Sequence, residues 1–131
     1  MSEIIRQVIE EVWNQKNPGL LEGFYTDDFV MHTPIGDFVG PDGYRQVYDT
    51  YVNAFSDCQF RIDDIFSAGD RTVIRYTFSG THDGELMGVA PTGRSVSVSG
   101  ISISRQADGK IVEEWPVWDQ MGVMQQIGAV G

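Results

Sequence analysis

The sequence predicts an α+β fold in which three N-terminal helices cover a curved antiparallel sheet, all within a single domain spanning residues 1–131. Three observations support this. Helical spacing of apolar residues is confined to the part of the chain before residue 56, and β-branched, alternating runs follow it. Short polar turns, Gly69-Asp70 and Asp108-Gly109, separate neighbouring runs, so these strands pair as antiparallel hairpins.

The first helix carries Ile4, Ile5, Val8, Ile9, Val12 and Trp13 on one face, with Ser2 placed to cap it and Glu3 at the favourable end of its dipole. Asn17-Pro18-Gly19 stops it, and Asn17-Pro18 also reads as the start of a short second helix bearing Leu20, Leu21, Phe24 and Tyr25. A short apolar stretch, Phe29 to His32, comes next. From Gly40-Pro41-Asp42-Gly43 a third helix opens, with Tyr44, Val47, Tyr48, Tyr51, Val52 and Phe55 on one face, the strongest helical signal in the chain. Four strands are expected, over 59–66, 71–79, 95–105 and 110–118. In the third, apolar residues fall at Val96 and Val98 and then at Ile101 and Ile103, a slip that predicts a β-bulge at Gly100. The tail from Met121 to Ile127 is expected to form a last helical turn or to pack against a partner. The segment from Gly80 to Arg94 is long for a connection and carries Leu86, Met87 and Val89, which fits a lid, a subunit contact or an extension of its flanking strands.

Composition narrows the function. Nine Lys and Arg against 19 Asp and Glu leave a net charge of −10, with no basic patch to attract nucleic acid or an anionic membrane. The one cysteine, Cys58, forms no internal disulfide, and no run resembles a signal peptide or a membrane span, so a reducing cytoplasm is expected. Two histidines without a metal-ligand spacing indicate no metal site, and the absence of Gly-rich phosphate loops indicates no nucleotide cofactor. A curled sheet under helices encloses a cavity, the natural place for a hydrophobic small molecule.

Several motifs recur together: Ala68-Gly69-Asp70-Arg71, Gly80-Thr81-His82-Asp83-Gly84-Glu85, Gly88, Pro91-Thr92-Gly93-Arg94, and Asp108-Gly109-Lys110-Ile111-Val112-Glu113-Glu114-Trp115. With His32-Thr33-Pro34 and Gln125-Gln126-Ile127-Gly128, this set resembles the SnoaL-like polyketide cyclase family. The resemblance implies the cone shared by nuclear transport factor 2 and ketosteroid isomerase, assembled as a homodimer or higher oligomer. It also implies aldol ring closure without metal or cofactor, through a carboxylate or imidazole that moves protons in an apolar cavity.

The candidate proton-transfer groups are Asp119, Glu114, His32 and His82. Asp119 reads either as the acid/base at the mouth of the cavity or as the N-cap of the tail helix. Glu114 faces either the cavity or solvent, and each histidine either meets ligand or serves structure. Trp13, Tyr25, Tyr48, Phe55, Met87, Trp115 and Trp118 are the large side chains expected around the cavity, about half of them touching ligand. The resemblance also implies an acid after Trp115 and a histidine near Ser102, where this chain has Pro116 and Ser102, neither an acid or base at neutral pH. Isomerisation, epoxide hydrolysis and ligand binding without catalysis therefore stand as alternatives to ring closure.

Overall fold

In the computed structural model, which describes residues 2–130, a bent sheet of six strands wraps around one helical layer. Helix α1 (Ser2–Gln7) continues directly into a π-helical segment, Val8–Asn14. The wider winding shows in bonds that span five residues, Gln15 N–H to Glu10 O and Asn17 N–H to Val12 O. Ile5, Val8, Ile9, Val12 and Trp13 are buried along one side. The segment ends at Lys16, in the left-handed region at φ 59°, whose ammonium bonds to the carbonyls of Trp13 and Cys58. A 3₁₀ turn (Pro18–Leu20) and the single turn α2 (Leu21–Phe24) follow, and Asn17 makes no side-chain cap bond there.

Two strands then form that the apolar stretch at Phe29 only partly signalled, β1 (Tyr25–Thr33) and β2 (Gly36–Val39). Helix α3 (Gly40–Ala54) buries Tyr44, Val47, Tyr48 and Tyr51, all at the spacing read from sequence. Strands β3 (Gln59–Ala68), β4 (Arg71–Thr81), β5 (Ser95–Ala107) and β6 (Lys110–Trp118) form the meander, and α4 (Gln120–Gln126) closes the chain with Val123 packed inward. The strand order is β2-β1-β6-β5-β4-β3. Every pairing is antiparallel except β1 with β6, which makes the sheet mixed rather than purely antiparallel.

The expected bulge at Gly100 is absent. Strand β5 pairs with β4 in unbroken register from Arg71↔Arg105 to Thr81↔Ser95, and the irregularities lie at Ile62/Asp64 in β3, at Arg105/Gln106 in β5 and between Tyr25 and Val30 in β1. Backbone alternation is intact, and polarity is what switches. Val96, Val98, Gly100, Ser102 and Ser104 are buried in sequence, while Ile101 stands outside and half exposed. Apolar residues therefore change faces because the inner face turns polar there.

The segment after β4 extends the flanking strands. His82 N–H bonds to Arg94 O and Gly93 N–H to His82 O, while Leu86 and Val89 exchange both backbone bonds around a turn with Met87 and Gly88 at positive φ. Leu86 is fully buried, and Asp83 and Gly84 donate to Ala54 O at the end of α3.

Candidate active site

The inner face of β4, β5 and β6 meets α1, its π-helical continuation, α3 and α4 around a cavity of about 90 Å³. Its wall is mostly apolar: Ile5, Val8, Ile9, Val47, Ile74, Phe78, Val98 and Val123 are among the lining residues. Into this surface project Glu114, Ser102, Ser104 and the tyrosines 25, 44, 51 and 76.

Among the described residues, Glu114 is the only carboxylate on the wall. It lies on β6 opposite Ser104 of β5 and Met31 of β1, so both neighbouring strands hold its backbone. Ser104 Oγ donates to Oε2 at 2.8 Å and Tyr25 O–H donates to the same oxygen at 3.2 Å. Oε1 accepts no hydrogen bond from the described residues and is the oxygen left for an incoming proton. Burial pushes the carboxyl from 4.5 up to about 7, and the two hydroxyl donors offset only part of that rise. Such a group is poised for general acid–base work at neutral pH.

The tyrosines around it are held neutral. Burial, followed by the nearby Glu114 charge, raises Tyr25, Tyr44 and Tyr76 well above the usual phenol range. Trp13 Nε1–H donates to Tyr44 O–H at 2.8 Å, joining the π-helical segment to α3 at the cavity wall. At the α4 end, Gln120 Oε1 accepts from both Tyr51 O–H (2.7 Å) and Trp118 Nε1–H (2.8 Å). Burial raises Tyr51 to about 12.

Of the residues singled out from sequence, Glu114, Trp13, Tyr25, Ser102 and Trp118 are brought together on the cavity wall. The others lie elsewhere. Asp119 is exposed and caps α4, accepting Gly122 N–H at 2.8 Å. His32 is on the outer face of the sheet, its Nδ1 3.1 Å from Asp37 and its Nε2 2.8 Å from Glu113, and it stacks on Trp115. Trp115 faces outward because it is next to the inward Glu114 in an alternating strand, and Arg71 covers its ring at 5.0 Å. His82 is fully buried at the base of the β4–β5 connection, where its Nδ1 accepts Thr92 N–H. Tyr48 and Phe55 belong to the core, against Trp13 and Phe78 respectively, and Met87 is exposed at the turn.

Sequence reasoning overlooked Tyr44, Tyr76 and Ser104. Tyr76 and Ser104 were legible in principle, because strict alternation along β4 and β5 places them on one face with Ile74 and Ser102. No group of three or more metal-ligating side chains clusters among the described residues. No helix among them is long and apolar enough to cross a membrane.

Comparison with known proteins agrees with this architecture. IdmH of Streptomyces antibioticus, a candidate polyketide cyclase, superposes with a TM-score of 0.85 at 31% identity, covering 97% of each chain. AclR of Streptomyces galilaeus, a candidate hydroxylase, gives 0.88 at 27% identity over 99% of this chain and 96% of its own. A protein of Catenulispora acidiphila with a ketosteroid isomerase-like fold, in complex with trimethylamine, gives 0.81 at 18% identity over 96% of this chain and 92% of its own, a likeness of fold alone. No curated protein sequence matches the chain. The model of the SnoaL-like polyketide cyclases matches residues 3–127, so the chain, with its bent sheet and apolar cavity, belongs to that family.

Proposed function

We propose that this protein is a cofactor-independent acid–base catalyst of the polyketide (aldol) cyclase type, acting on a small hydrophobic carbonyl compound, with Glu114 as the proton-transfer group. The observation that carries this reading is a carboxylate that stands alone among the described residues of an apolar cavity, raised to about 7 by burial, with one oxygen that none of them bonds. In the ionised form Oε1 removes a proton from carbon next to a carbonyl. The C–H electron pair becomes the enolate C=C bond, and the enolate carbon then bonds to a second carbonyl carbon, leaving an alkoxide. Glu114 returns its proton to that oxygen, so base and acid roles fall to one group and no proton is lost. Ser104 and Tyr25 hold the carboxylate in place during both transfers.

The geometry does not favour epoxide opening, because no arginine and no second carboxylate among the described residues lines the cavity. Asp119, His32 and His82 are left outside the proposed chemistry by their positions. The protein is further proposed to act as a cytoplasmic homodimer, joined through the outer face of the sheet. Ile101 and Val117 are exposed there, and Arg105 and His32 are already paired with Glu113.

Acetophenone in D₂O provides a direct test, since its methyl protons exchange only through the enol. The wild-type protein is expected to catalyse exchange, followed by proton NMR, and Glu114→Gln to abolish it while acetophenone still binds. Binding without exchange, equal in both proteins, contradicts the enzymatic reading and favours a binding protein.

A further inference from the structure

Two of the cavity hydroxyls neither hold Glu114 nor pair with another side chain among the described residues. Tyr76 O–H and Ser102 Oγ make no hydrogen bond to any described residue, although both residues are more than nine-tenths buried. Neither oxygen is sealed inside protein, where it would count as an orphaned buried group, and both residues line the cavity. An unpartnered hydroxyl in an apolar wall is costly unless something enters to bond with it.

The sheet register places these groups relative to Glu114. Across β4, β5 and β6 the inward residues form three successive rows: Thr72–Ser104–Glu114, Ile74–Ser102–Pro116 and Tyr76–Gly100–Trp118. Ser102 thus occupies the row next to Glu114, and Tyr76 the row beyond it. Gly100 sets the direction of the Tyr76 ring. A Cβ at residue 100 would fall 2.4 Å from Tyr76 Cζ and 2.5 Å from its hydroxyl oxygen, so the phenol lies directly across the glycine. Pro116, opposite Ser102, adds no polar side chain to that row.

We infer that Tyr76 and Ser102 form an oxygen-binding subsite, in which their hydroxyls donate to a second carbonyl oxygen of the ligand, the carbonyl whose carbon meets the one that Glu114 deprotonates. This rests on the proposed role of Glu114 for the chemistry and deepens it by defining the substrate class: a compact apolar molecule with two carbonyls, one next to the acidic carbon and one held over Ser102 and Gly100. In ring closure the second carbonyl is the electrophile, and two donated hydrogen bonds polarise it towards attack. Tyr76 keeps its own proton throughout, because burial holds the phenol far from ionisation.

The test uses two probes with one carbon skeleton, 2,5-hexanedione and 2-hexanone, which differ by the second carbonyl oxygen, titrated into the protein by NMR. The wild type is expected to prefer 2,5-hexanedione by roughly tenfold, the value of one or two hydrogen bonds in a dry site. Tyr76→Phe and Ser102→Ala should each reduce that preference at least threefold. Gly100→Ala, which displaces the ring while keeping the phenol, should act as Tyr76→Phe does. Glu114→Gln should leave the preference intact while abolishing deuterium exchange, so failure of the Glu114 reading appears in exchange and failure of the subsite appears in affinity. The inference is overturned if Tyr76→Phe and Ser102→Ala retain the wild-type preference, if Glu114→Gln removes it, or if neither probe binds.

Discussion

Glu114 combines two opposing demands in one side chain. Raising its carboxyl from 4.5 to about 7 means that the fold resists the charged form, at a cost of about 3 kcal/mol once the group is ionised. Because the folded pKa is the higher one, this cost is nearly absent below pH 4.5, grows as pH rises towards 7 and is complete above it. Glu114→Gln is therefore expected to unfold at a higher urea concentration than wild type at pH 8, by up to about 3 kcal/mol, and to be nearly indistinguishable at pH 4.5. Exchange activity should rise with pH through an apparent midpoint near 7, since the ionised form is the base. His32 follows a separate window. The Glu113 hydrogen bond, with Asp37 on the other nitrogen, holds its imidazole above 6.5, so its stabilisation is complete below pH 6.5 and is lost as pH rises through the folded value. His32→Asn should flatten that part of the stability profile in thermal melts at a series of pH values and leave exchange activity near wild type.

At the level of elements, α3 and the meander were readable because their apolar residues keep one face over many turns or pairs. Strand β1 was harder to read because its partner β6 is some 85 residues further along, and β2 is a short, exposed strand with little pattern. Strand β5 misled because periodicity reports polarity, and its inner face is serine where the cavity needs hydroxyls. A reader assuming a dry inner face takes Ile101 and Ile103 as inward and inserts a bulge. The same assumption directs attention to Trp115 instead of Tyr76. Asp119 illustrates local chemistry that sequence could name but not choose between: its bond to Gly122 N–H makes it a helix cap. Asp119→Ala is expected to cost about 1 kcal/mol in urea melts and to leave exchange activity unchanged. The β4–β5 connection depends on Gly84, where a Cβ would fall 1.9 Å from Asn53 O. Gly84→Ala should destabilise the protein by about 1–3 kcal/mol, measured in the same melts.

Taken as a whole, the molecule separates an inner face that lines the cavity from an outer face where exposed Ile101 and Val117 stand among polar and charged residues, within a chain of net charge −10. Ile101 and Val117 sit on the outside beside residues whose charges are largely matched, so two copies can approach there without strong repulsion. Light scattering should report a dimer for wild type and a monomer for Val117→Glu. A wild-type monomer at high concentration contradicts that assembly. The inner face matters more, because the proposed chemistry depends on helices and sheet together keeping water from one carboxyl group. The decisive measurement is a carbon-13 NMR titration of glutamate-labelled protein, with Glu114 assigned by the loss of its side-chain carboxyl signal in Glu114→Gln. A midpoint near 7 is the predicted result, and a midpoint between 4 and 5 would show a solvated carboxylate unable to serve as the proposed base.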